Sequence, residues 1–124
     1  MIKTIEEWLR PGVESGVFFV RRQRNEIVEP KYGIYSVDSM MIYIDGKYTI
    51  EVQPKGLHLA GRTIGGRVDI VHPKGKEILF RKILEDRSEW YLLPHAKWEY
   101  ENESILFVED TLVEIINRVM SENV

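Results

Sequence analysis

The 124-residue chain has no cysteine, which excludes a disulfide scaffold, thiolate zinc or iron–sulfur sites and a thiol nucleophile. Long apolar runs are also missing. Strictly apolar stretches such as Val17–Val20 and Ile105–Val108 fall far short of the roughly 20 residues a membrane helix needs, so no membrane association is expected. Met1 to Arg10 has neither a basic start nor a continuous apolar stretch and carries Glu6 and Glu7, unlike a secretory signal; a cytoplasmic location is the expectation. Nine Gly and five Pro are too few for a collagen-like or Pro-rich chain. A basic balance is lacking too. The formal charge is −3 and the pI about 5.7, which argues against nucleic acid as the partner.

What is present is a 44% hydrophobic composition, enough to bury one core, and the length suits a single domain over 1–124. Charge is unevenly spread. Residues 54–82 hold seven basic side chains against Asp69 and Glu77, whereas residues 83–124 hold three basic and ten acidic ones. Such segregation makes a dipolar molecule unless folding interleaves the two stretches.

Thr4-Ile5-Glu6-Glu7 has capping-box spacing, and Ile5, Trp8 and Leu9 share one helical face. This predicts a short helix from Thr4, stopped by Pro11-Gly12 and held by the packing of Trp8. Strand patterns follow in Val17–Arg24, Lys31–Val37, Met40–Ile44 and Tyr48–Val52, the last two joined by the hairpin signal Asp45-Gly46. Further strands are expected at Val68–Val71, Glu77–Leu84, Trp90–Leu93, Lys97–Tyr100 and Ile105–Val108. Thr111 and Glu114 repeat the capping-box spacing before Leu112, Ile115, Ile116, Val119 and Met120, the stripe of an amphipathic helix.

No segment is long enough to cross over between parallel strands. The expected class is therefore α+β, mostly antiparallel β: a roll or partly open barrel of eight or more strands with a short N-terminal helix and a C-terminal amphipathic helix. In element order alone it is similar to pleckstrin-homology-like rolls.

The chemically distinctive stretch is His58-Leu59-Ala60-Gly61-Arg62-Thr63-Ile64-Gly65-Gly66-Arg67. Glycines there allow close backbone approach, and arginine forks grip phosphate or carboxylate at two points. The spacing is neither a P-loop nor a dinucleotide fingerprint. The candidate ligand-binding residues are His58, Arg62, Thr63, Gly65, Gly66 and Arg67, with a bulged barrel strand as the competing structural reading.

His58, His72 and His95 show no local metal spacing, and no metal site or cofactor is expected. Three functions are open. The first is a non-enzymatic binding or inhibitor protein for an anionic, nucleotide-like or phosphorylated ligand. The second is a metal-independent, histidine-dependent ribonuclease-like enzyme using Arg62 or Arg67 for transition-state charge. The third is a protein inhibitor whose acidic aromatic hairpin, with Trp90, Tyr91, Trp98 and Tyr100, meets a protein partner. Exposed hairpin edges further suggest a homo-oligomer.

Overall fold

A computed structural model describes residues 1–30, 33–56 and 64–121. Its elements in order are α1 (Ile2–Glu14), β1 (Phe18–Glu29), β2 (Gly33–Ile44), β3 (Tyr48–Gly56), β4 (Ile64–His72), β5 (Gly75–Ile83), β6 (Ser88–Leu93), two 3-10 segments (Pro94–Ala96 and Trp98–Glu103), β7 (Ile105–Leu106) and α2 (Glu109–Met120). The strands form one seven-stranded antiparallel sheet in sequence order, an open roll with β1 at one edge and β7 at the other.

Strand alternation assigns the two faces of this sheet. Met40, Ile42 and Ile44 of β2, Ile50 and Val52 of β3, Val68 and Ile70 of β4, Leu79 of β5 and Leu92 of β6 are buried on one face. Ile2, Ile5 and Leu9 of α1 and Leu112, Ile115, Ile116 and Val119 of α2 pack into the same core. At about 1.5–3 kcal/mol per fully buried aliphatic side chain, this burial is what holds both helices to the sheet. Trp8 meets Phe107 with ring centroids 5.7 Å apart, the packing that a helix this short requires. A smaller cluster of Ile78, Phe80 and Leu93 lies on the opposite face under Ala96 and Trp98.

The Asp45-Gly46 hairpin forms as its sequence requires: φ is 53° and 63° at the two residues, and the Lys47 N–H donates to the Ile44 carbonyl at 2.9 Å. The strands expected separately at Lys31–Val37 and Met40–Ile44 fall in one long strand, β2 (Gly33–Ile44), paired with β1 from Phe18↔Ile44 to Glu29↔Gly33. Pairing of β2 with β3 ends at Met40↔Val52, so the outer halves of β1 and β2 project as a two-stranded ribbon.

Three expectations need correction. Helix α1 starts at Ile2, without a Thr4 cap, and runs through Pro11-Gly12 to Glu14. Its stop is Gly16, with φ 86°: the Val17 N–H reaches the Gly12 carbonyl at 2.9 Å and the Gly16 N–H reaches Val13 at 3.1 Å, a Schellman motif. Gly12 is needed for a different reason, since a Cβ there would lie 2.2 Å from Cδ2 of Phe18. The second correction is Lys97–Tyr100, which lies in 3-10 turns, so seven strands form among the described residues where eight or more were expected. Third, Thr111 is inside α2 rather than before it. Its hydroxyl donates to the Leu106 carbonyl at 3.0 Å and accepts from the Val108 N–H at 3.3 Å.

The C-terminus of α2 is tied to the β4–β5 turn. Lys74 donates from Nζ to the Arg118 carbonyl at 2.8 Å and to the Ser121 carbonyl, placing a cation where the helix dipole is negative. Arg118 in turn pairs with Glu77 at 3.4 Å. Cross-strand pairing sets Lys82 of the basic stretch opposite Glu89 of the acidic one, so folding interleaves part of the two. Among the described residues no helix is long and apolar enough to cross a membrane.

Candidate functional site

The Gly/Arg stretch enters the described structure at Ile64, and its last residues begin β4. Between Ile64↔Lys82 and Arg67↔Phe80 the β4–β5 register shifts, and between Pro54 and Gly56 the β3–β4 register shifts as well. The two irregularities meet at the Gly56↔Arg67 pair, so both strands bend at one place. Gly65 and Gly66 permit the bend, because neither brings a side chain that must fit one of the two faces. His58, Arg62 and Thr63 lie outside the described residues.

Arg67 sits beyond the bend on the face opposite the helices. Asp69, two residues along, shares that face and is almost fully buried. The Arg67 Nε–H donates to Asp69 Oδ1 at 2.8 Å and Nη2 donates to Oδ2 at 3.1 Å. This side-on grip fixes the plane of the guanidinium, whose side chain keeps 27% of its surface accessible. It leaves the end-on fork, Nη1 with the second hydrogen of Nη2, directed away from Asp69.

Further cations share the face. Lys76 Nζ is 3.9 Å from Asp69 Oδ2, and Lys82 lies 4.8 Å from the Tyr91 ring centroid and 5.9 Å from that of Phe80, the β5 partner of Arg67. Cross-strand pairing places Arg67, Asp69, Lys76 and Lys82 in one patch, with Glu89 opposite Lys82 on the same face. The sequence reading missed Asp69, Lys76 and Lys82. The available signal was the Arg67-x-Asp69 spacing, which on a strand puts a carboxylate beside the guanidinium.

Next to the patch, Arg87 donates from Nε to Glu89 at 2.6 Å and the Tyr91 hydroxyl donates to Glu89 at 2.8 Å. The hydrogen bond from Arg87, then that from Tyr91, lowers the Glu89 carboxyl below its usual range, and the same contact raises the Tyr91 hydroxyl.

The histidines within the described residues do not converge. His72 Nδ1 accepts from the Lys74 N–H at 3.2 Å, which puts the proton of a neutral ring on Nε2, facing Glu77 Oε2 at 2.8 Å. That side chain is only 6% exposed. His95, with φ 56°, lies in the 3-10 segment over the opposite face, its ring 5.2 Å from Tyr100.

The expected acidic aromatic hairpin does not form. Trp90 lies 5.9 Å from the Arg81 guanidinium, while Tyr91 and Trp98 contact Phe80 at 6.0 and 5.4 Å in the smaller core cluster. Arg21, Arg22 and Arg24 lie along β1, with Arg22 held by Glu6 at 2.8 Å and by Asp38 at 3.2 Å.

Two clefts among the described residues lie away from Arg67. One of about 240 Å³ is lined by Trp8, Trp90 and Phe107, and one of about 430 Å³ by Asn25, Glu51, Gln53 and Lys55 among others; Arg67 lines neither. No family model matches this chain, and no curated protein or solved structure matches it.

Proposed function

We propose that the protein is a non-enzymatic binding or inhibitor protein that takes an anionic, phosphorylated or nucleotide-like ligand at the bent β3–β4 corner. The observation that supports this most is the two-point bond from Arg67 to the buried Asp69. An arginine held by its Nε edge has lost its rotational freedom, so its remaining fork meets an anion at small entropic cost. Lys76 and Lys82 add positive charge on the same face. Arg62, Thr63, His58 and the glycines 65 and 66 complete the proposed ligand set, with Arg62 and Arg67 acting together on the anion. A cytoplasmic location belongs to the same proposal. The separation of His72 from His95 removes the support that a two-histidine hydrolytic site would need from this pair.

The test is calorimetric titration with inorganic pyrophosphate and with ATP, comparing the parent with Arg67→Lys and Arg62→Ala. Arg67→Lys keeps a cation but removes the fork, and the loss of one charge-assisted bond corresponds to about 1.5–3 kcal/mol, roughly tenfold to a hundredfold in affinity. Parent and variants binding alike, or a parent that binds neither probe, would refute the proposal.

A further inference from the structure

Strand β1 is the long edge of the sheet: it pairs with β2 alone, and among the described residues no strand lies along its other side. Such an edge is a template for another strand. Its sequence, Phe18-Phe19-Val20-Arg21-Arg22-Gln23-Arg24-Asn25-Glu26-Ile27-Val28-Glu29, is basic in the first half and acidic in the second. An antiparallel second copy therefore meets it with the charges reversed.

We infer that two copies of this chain pair through β1, antiparallel, with the two-fold axis at Asn25. Residues facing each other across such an axis stay on the same sheet face, so only registers centred on a residue are allowed. Centring on Asn25 sets Arg24 opposite Glu26 and Arg21 opposite Glu29, each twice by symmetry. The neighbouring registers are worse. Centring on Gln23 sets Arg22 against Arg24, centring on Arg24 or Glu26 sets a charge against itself, and centring on Ile27 forms no ion pair. Arg21, Arg24 and Glu26 are exposed on the described chain, while Glu29 is partly buried and accepts from the Tyr35 hydroxyl.

The apolar surface follows the same symmetry. Val28 and its cross-strand partner Ile34 are 69% and 67% exposed at the outer end of the ribbon. Near the other end of the same edge lies an open cleft of about 330 Å³ lined by Glu6, Arg10, Val13, Phe19 and Val20. In the Asn25-centred register the partner's Val28 faces Arg22 and lies diagonal to Val20. Each ribbon end is thereby brought to the other copy's cleft, and both apolar features are used twice.

The chain has no native cysteine, so single-cysteine variants report the register directly. On mild oxidation, Asn25→Cys should form a disulfide-linked dimer, since facing residues of an antiparallel pair lie within disulfide reach. Arg21→Cys and Val28→Cys, each several residues from the axis, should not. In sedimentation equilibrium the parent should dimerise at micromolar concentration. Glu26→Arg should weaken dimerisation about tenfold or more, because lost attraction and new repulsion both count twice. The double exchange Arg24→Glu with Glu26→Arg should restore it. A parent that stays monomeric at about 100 μM, cross-linking strongest at another position, or a double exchange as weak as Glu26→Arg would each overturn the inference. So would a dimer indifferent to Glu26→Arg, since it would use another surface.

Discussion

Alanine for glycine inside a helix ordinarily stabilises by about 1 kcal/mol, because glycine loses more backbone entropy on ordering. At Gly12 the reverse is expected. An added Cβ would lie 2.2 Å from Cδ2 and 2.4 Å from Cε2 of Phe18, and Phe18 packs against the main core between helix α1 and the sheet. Its ring must swing aside or the last turn of α1 must lift, and overpacking of this kind costs about 1–3 kcal/mol. Gly12→Ala should therefore lose about 0–2 kcal/mol net after the helix gain, as a lower urea midpoint with an unchanged slope. The decisive comparison is a double-mutant cycle. In a Phe18→Ala background the clash is gone and Gly12→Ala should stabilise, giving a coupling of at least about 1 kcal/mol. A Gly12→Ala variant that gains stability equally in both backgrounds would refute the close approach of Phe18 to α1.

Ile116 is 4% exposed in the α2 stripe, so Ile116→Ala should cost about 2–4 kcal/mol in chemical denaturation, against less than about 0.5 kcal/mol for a surface site. Lys74→Ala removes the cation at the α2 C-terminus and should lose about 0.3–1 kcal/mol, with faster amide exchange confined to the last turn of α2. Glu89 has a lowered folded-state pKa, so its stabilising contribution is present above the unfolded value and is lost as pH falls through the folded one. NMR titration should find its midpoint below the usual 4.5, and Arg87→Ala should raise it.

Much of the fold was legible because the residues that set it act locally. Asp45-Gly46 can satisfy two positive φ values, and the Leu112, Ile115, Ile116 and Val119 spacing can bury one face of a helix. The errors arose where tertiary contact outweighed local preference. Pro11-Gly12 reads as a stop, yet the packing of Phe18 and the Schellman turn at Gly16 carry α1 a full turn further. Lys97–Tyr100 has strand-forming aromatics, but Trp98 is drawn down onto Phe80 by the 3-10 turns. At the site, the glycines announced a bend, and the register shifts on β3 and β4 coincide there. Lys76 and Lys82 could not be assigned from spacing alone, since their position beside Arg67 depends on the β4–β5 register.

The fork of Arg67 is the centre of the functional proposal, and nitrogen-detected NMR of the arginine side chains observes it directly. Assigned through Arg67→Lys, the Arg67 Nη signals should shift saturably as inorganic pyrophosphate is added, while Nε, donating to Asp69, moves little. Arg87, held by Glu89 and Asp86, should stay unchanged and serves as the internal reference. Arg67 Nη signals that do not move at millimolar pyrophosphate, or that move no more than those of Arg87, would contradict the assignment of this arginine to an anionic ligand.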